Sequence, residues 1–202
     1  MSGSGLAALL ARRRMVRDFD PGAGVPVELL EAVLDAGLTA PSAGHAQVVT
    51  AVVLADQQVS GFWSVTSEPG ADSAWLRGMR RAPVLITLWT SEDAYAERYA
   101  EPDKAAGSDD GPAWSAPWWW VDAGMTAMAV LLAATDAGLG ACFFGVPPRR
   151  QALLAEHLGV PAGWASAGVV ALGRPAAADR PSGSGRRRAR RPREERIRSG
   201  RW

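Results

Sequence analysis

The 202-residue chain has a single cysteine, Cys142, so no intrachain disulfide can form and a zinc site built on several thiolates is excluded. Its two histidines, His45 and His157, stand far apart in sequence, which leaves no multi-histidine metal motif. No apolar run reaches the roughly 18 residues that a membrane-spanning helix needs. The start, MSGSGLAALLARRR, places its apolar stretch before its arginines, the reverse of a signal peptide. A cytoplasmic protein is therefore expected. There is no Gly-x-Gly-x-x-Gly motif, so a Rossmann phosphate loop is not expected. Lysine is nearly absent, with Lys104 alone among the basic residues that are not arginine.

What is present is enough to build a core, since 48% of the residues are hydrophobic. The net charge of +1 conceals a segregation. Eleven of the 22 basic residues and three of the 21 acidic ones lie from Arg174 onward, so that stretch carries +8 and the rest −7. The length favours one domain over 1–202, with 174–202 as a basic C-terminal extension.

Periodicity places a short helix over Leu6–Arg14 and a second one opened by Pro26 and ending near Gly37. The β-branched run Val48–Leu54 reads as a strand buried on both faces, and Ala82–Trp89 as another. Residues 56–81 read as irregular helix, and 91–117 as a long polar surface excursion. Asp122 is a candidate N-cap for a helix over Ala123–Ala137 that is apolar almost all round, hence buried in a core or an interface. Gly138-Leu-Gly-Ala-Cys-Phe-Phe-Gly reads as a helix stop leading into a short strand, followed by a helix over Pro148–Leu158 and a strand over Gly168–Leu172. Mixed elements without an internal repeat indicate an α+β or α/β domain.

Four local motifs stand in a consistent order. Arg12-Arg-Arg-Met-Val-Arg-Asp-Phe follows the first helix, and Ala40-Pro-Ser-Ala-Gly-His-Ala-Gln lies between the second helix and the first strand. Gly138-Leu-Gly-Ala-Cys-Phe-Phe-Gly follows the apolar helix, and Leu172-Gly-Arg-Pro leads to Arg188-Ala-Arg-Arg-Pro-Arg-Glu-Glu. Taken alone, the first motif is also a basic helix end, and the last a basic tail that could touch nucleic acid. The acidic body argues against a general nucleic-acid binder.

In these motifs the chain resembles the FMN-dependent nitroreductase superfamily from Arg12 to about Trp202. The resemblance implies an α+β fold with a central, mostly antiparallel sheet flanked by helices, in an intertwined homodimer. It implies FMN as cofactor and NADH or NADPH as electron donor. Arg13, Arg14 and Arg17 would bind the flavin phosphate and its N1–O2 edge, with Met15 where serine is usual. Ser42, His45 and Gln47 would reach the flavin of the partner subunit, His45 standing where asparagine is common. Phe144 and Gly145 would bring backbone close to N5, and Arg188 and Arg190, with Arg191 as an alternative, would close over the phosphate. No catalytic side chain and no metal ligand are implied, since the flavin carries the chemistry. Trp118, Trp119 and Trp120 have two readings, as packing across the dimer and as an aromatic wall of the substrate pocket. The implied activity is hydride transfer to a small aromatic, nitro, quinone or enone acceptor. The superfamily also contains oxidases of cyclic dipeptides or azolines, and a non-catalytic flavin-binding module is a further alternative. No membrane and no nucleic acid are expected as partners.

Overall fold

A computed structural model describes residues 5–105, 114–181, 183 and 187–202. Its centre is a four-stranded sheet of β1 (Thr50–Ala55), β2 (Val84–Ser91), β3 (Gly140–Phe144) and β4 (Trp164–Gly173), in the order β1-β2-β4-β3. Every pairing is antiparallel, and a bulge interrupts the β2–β4 register between Leu88 and Trp89. The expected α+β architecture with an antiparallel sheet is therefore the observed one.

The two-residue period of the central strands sorts their side chains to opposite faces. Leu85 and Trp89 of β2, with Val169 and Ala171 of β4, enter one core. Val84, Ile86 and Leu88, with Val170 and Leu172, enter the other. The first core is closed by α3 (Gln57–Thr66), α4 (Ala74–Met79) and α8 (Pro148–Leu158), which supply Phe62, Trp63, Leu76, Met79 and Leu154. The second is closed by α2 (Val27–Leu38) and α7 (Trp118–Asp136), through Val33, Ala127, Val130, Leu131 and Ala134. Helix α1 spans Gly5–Arg12.

Three local expectations are corrected. Strand β1 is an edge strand with only Leu54 fully buried, not a strand buried on both faces. Apolar composition alone does not distinguish edge from centre. The 91–117 excursion contains helices α5 (Glu92–Tyr99) and α6 (Pro102–Ala105), with 106–113 outside the described residues. Helix α5 is capped by Ser91, whose Oγ accepts from Ala94 N–H at 3.2 Å. Finally, α7 begins at Trp118, so Asp122 lies in its second turn and caps nothing. Its carboxylate is buried and is used elsewhere, as described below.

Helices α3 and α8 are tied at one end by Glu68, which pairs with Arg149 at 2.7 Å and Arg150 at 2.9 Å. Hydrogen bonds from Arg150 and then Arg149 hold its carboxyl down to about 2, against an ordinary 4.5. A depressed pKa means that folding favours the ionised form. The stabilising contribution of the tie is complete above pH 4.5 and disappears as pH falls through about 2. An NMR titration of the Glu68 side-chain carbonyl should give a midpoint near about 2; a midpoint near 4.5 would mean that the tie does not form in solution. No helix among the described residues is long and apolar enough to cross a membrane.

Candidate functional site

The open edge of β3 carries the first motif. Val16 N–H donates to Ala141 O at 3.0 Å, and Met15 bridges Ala141 in parallel sense. Met15 Sδ also accepts from Phe143 N–H at 3.5 Å, so the thioether engages a backbone donor of the edge strand. On the other side the segment is held by the stretch after β4. Asp20 N–H donates to Arg174 O and Ala176 N–H to Asp18 O, both at 2.9 Å. Helix α4 presses on it from a third direction, where Gly78 meets Arg17 backbone to backbone.

The three arginines of this strip differ in their commitments. Arg14 forms an ion pair with the buried Asp179, which also accepts from Arg17 N–H at 3.0 Å. Arg17 donates through Nη1 to Met15 O at 3.1 Å. Arg13 is half-buried, and its Nη1 is fully buried with no acceptor. A buried, unsatisfied charged donor is costly unless an anion meets it. The strip therefore holds one free buried positive group beside two that are already engaged. Cys142 lies beneath it; burial pushes its thiol pKa up, offset in part by Arg17. It is a neutral, packed thiol rather than a nucleophile.

At the far end of β3 the environment becomes aromatic. Phe144 stacks on Trp63 with centroids 5.6 Å apart and an interplanar angle of 7°. Trp75 meets Phe144 edge-on at 5.5 Å. These rings line a cavity of about 230 Å³ together with Gly145 and Val146. Gly145 is exposed, and a Cβ there would meet nothing within 4 Å, so space stands open beside its backbone.

The second motif lies elsewhere. It precedes β1, at the edge of the sheet opposite β3. Ser42 Oγ accepts from Gln47 N–H at 3.0 Å, and Ser42 and Gln47 share a cavity of about 200 Å³ with Asp122 and Thr126. Beneath the loop, the Asp122 carboxylate accepts from Tyr95 O–H at 3.0 Å and from Ala43 N–H at 3.2 Å. Burial raises the pKa of Asp122; burial and then Asp122 raise that of Tyr95. Within the chain, the Ser42–Gln47 loop and the Arg13–Arg17 strip line no common cavity among those described.

The remaining expected residues fall in two places. Arg188, Arg190 and Arg191 are exposed in the tail; Arg191 pairs locally with Glu195 at 3.0 Å. Trp119 is buried against Tyr95 in a small aromatic cluster with Trp114 and Tyr99. Trp118 is half-buried, and Trp120 is 41% exposed beside Val121 on α7. The aromatic walls beside Gly145 are Trp63, Trp75 and Phe144, not the tryptophan triplet. Sequence reasoning missed Trp63 and Trp75, which sit in a stretch with no motif. It also missed Asp179, although that is the only acid between Arg174 and Arg193 in an arginine-rich extension.

The sequence profile of the nitroreductase family matches residues 10–174. No curated protein matches the chain. Several solved structures share its fold. One is a protein from Desulfovibrio desulfuricans, provisionally assigned as a nitroreductase and in complex with FMN. It is 22% identical, with 100% of this chain and 99% of that one covered and a TM-score of 0.73. A nitroreductase from Lactococcus lactis in complex with nicotinic acid is 19% identical, with 88% and 93% covered and a TM-score of 0.73. A nitroreductase from Bacteroides fragilis with bound FMN is 21% identical, with 87% and 91% covered and a TM-score of 0.63.

Proposed function

The chain belongs to the nitroreductase family, and from that premise we propose that two copies of it hold FMN at their interface and act as an FMN-dependent oxidoreductase. Electrons come from NADH or NADPH and pass to a small aromatic, nitro, quinone or enone acceptor. The observation that carries this reading is the buried, unpartnered Nη1 of Arg13, on a strip that leads to the open backbone of Gly145. A phosphate satisfies the first, and a flat ring approaching the main chain suits the second.

FMN, when bound, supplies hydride transfer at N5. Arg13 is the primary phosphate ligand in this reading, with Arg188, Arg190 and Arg191 of the tail closing over it. Arg14 and Arg17 place positive charge along the strip, tempered by Asp179. A cation at the N1–O2 edge favours negative charge on the ring and raises its potential. The backbone of Phe144 and Gly145 would hold the flavin where its N5 reacts. Trp63, Trp75 and the Phe144 ring offer flat apolar walls, which suits a planar, weakly polar acceptor.

The second subunit supplies what one chain does not bring together. Its Ser42–Gln47 loop, with His45, meets the ring from across the interface. Support for the dimer comes from the apolar surface on α1, α2 and α7. Leu10, Val27, Leu38, Trp120, Val121 and Met128 are all exposed there. Exposed apolar side chains on three neighbouring helices suit an interface. The +8 tail of one protomer also has a −7 body to lie on.

Anaerobic titration with NADH and NADPH should bleach the flavin, and NAD(P)H should then be consumed with a nitroaromatic or quinone acceptor. Hydrogen peroxide release with a peptide-like substrate, and no acceptor reduction, would replace this activity with the oxidase alternative. Bound flavin with neither turnover would leave a flavin-binding module.

A further inference from the structure

The Ala43–Gln47 loop has an unfavourable backbone. Gly44 has φ 63°, and two non-glycine residues, His45 at 54° and Gln47 at 52°, also lie in the left-handed region. Such residues persist only where their surroundings over-determine the conformation. The surroundings here are α5 and α7, and they take hold of the loop by its main chain.

Three contacts grip two consecutive residues. Asp122 accepts from Ala43 N–H at 3.2 Å, and Tyr95 Oη stands 3.2 Å from Ala43 O. Arg98 Nε donates to Gly44 O at 3.1 Å. Arg98 is itself fixed, by a two-point pair with Asp103 at 2.7 and 2.8 Å and by Glu101 at 3.0 Å. The Tyr99 ring closes the fourth side, so near that a Cβ on Gly44 would fall 2.8 Å from it. The opposite side of the loop is free: His45 and Gln47 are exposed. The loop is thus clamped from behind by its backbone, with Ala43 and Ala46 packed inward, while His45 and Gln47 are exposed.

We propose that Tyr95, Asp122 and Arg98 are positioning residues that preset the Ala43–Gln47 loop for contact with the flavin held by the partner subunit. The proposal rests on the FMN reading given above. It assigns α5 a role: this helix brackets a cofactor loop that belongs to the site across the interface.

Proton counting within the bracket selects the informative variants. Tyr95 has one hydroxyl proton and two acceptors in reach, Ala43 O and Asp122 Oδ2. Asp122 Oδ2 accepts from both Tyr95 O–H, at 3.0 Å, and Ala43 N–H, at 3.2 Å. An asparagine at 122 can keep both bonds, by placing its amide oxygen where Oδ2 stands and accepting from Tyr95 O–H and Ala43 N–H. An alanine cannot.

The test uses the full-length dimer and FMN titration by flavin fluorescence, far below the unfolding temperature. Tyr95→Phe and Asp122→Ala are expected to weaken FMN binding by about fivefold or more, the value of a lost hydrogen bond. Asp122→Asn is expected to bind within about twofold of the parent protein, because its hydrogen bonds survive. A merely structural role would lower the thermal midpoint and leave FMN affinity unchanged. Wild-type affinity in Tyr95→Phe overturns the proposal, as does Asp122→Asn behaving like Asp122→Ala. Should Asp122→Ala fail to fold, Tyr95→Phe and Arg98→Ala still decide. Failure of the parent protein to bind FMN is a separate outcome that removes the flavin reading, and this proposal with it.

Discussion

Arg13→Ala is expected to weaken FMN binding about 10- to 100-fold, the equivalent of one charge-assisted hydrogen bond of about 1.5–3 kcal/mol. The expectation follows from the commitments of the neighbouring arginines. Arg14 is engaged by Asp179 and Arg17 by its own backbone, whereas Arg13 Nη1 is buried with nothing to bond. The same reasoning fixes the effect on the cofactor-free protein. Removing an unsatisfied buried donor costs the apo fold nothing, so its unfolding midpoint should stay level or rise. A residue that served only the fold would give the opposite pair of results. Adding Arg190→Ala should weaken FMN further if the tail closes over the same phosphate. Fluorescence titration with FMN checks both variants, and an unchanged affinity in Arg13→Ala removes Arg13 from the site.

Gly78→Ala should be the most damaging single methyl addition near the site. A glycine-to-alanine change inside a helix ordinarily stabilises, by up to about 1 kcal/mol. Here a Cβ would lie 2.1 Å from Arg17 O and 3.2 Å from Asp18 Cα. Both neighbours are backbone, and they are pinned by β3 on one side and by residues 174–176 on the other. Neither can rotate away as a side chain would. Overpacking of this kind costs about 1–3 kcal/mol, or more where the backbone is fixed. Urea unfolding of Gly78→Ala should therefore show a loss of about that size. FMN affinity should fall with it, because the strip that carries Arg13 must move. A stability equal to or above that of the parent protein would contradict the packing of α4 on this strip.

Much of the fold was legible, for reasons visible in particular elements. Strands β2 and β4 showed in the sequence as the apolar runs Ala82–Trp89 and Gly168–Leu172, and both their faces are covered, one by α3, α4 and α8 and the other by α2 and α7. The same logic misplaced β1, whose valines occur on an edge strand and whose expected first residue, Val48, is buried in the loop before it. Helix α5 was invisible because EDAYAERY is polar, with only Tyr95 buried. The start of α7 was misread through Asp122, a residue type that caps helices; Pro117, immediately before Trp118, was the better boundary signal.

The candidate site was legible where it is local in sequence. The Arg13–Arg17 strip, the Ser42–Gln47 loop and Gly145 each carry a motif within a few residues. What was not legible depends on pairs far apart along the chain. Arg14 meets Asp179 and Asp122 meets Ala43 only after the sheet has formed. Trp63 and Trp75 flank Phe144 from two different helices. The Trp118–Trp120 triplet drew attention by composition. One of its rings is spent on a cluster with Tyr95, and another faces outward on α7.

In the proposed function the Arg13 strip and the Gly145 edge hold FMN between two copies of the chain. The most direct test is size-exclusion chromatography of the protein after incubation with FMN, recording protein and flavin absorbance together. Flavin bands that co-elute with protein at the mass of a dimer, at about one FMN per chain, are the predicted result. A colourless protein peak, with all FMN eluting as free small molecule, would contradict it.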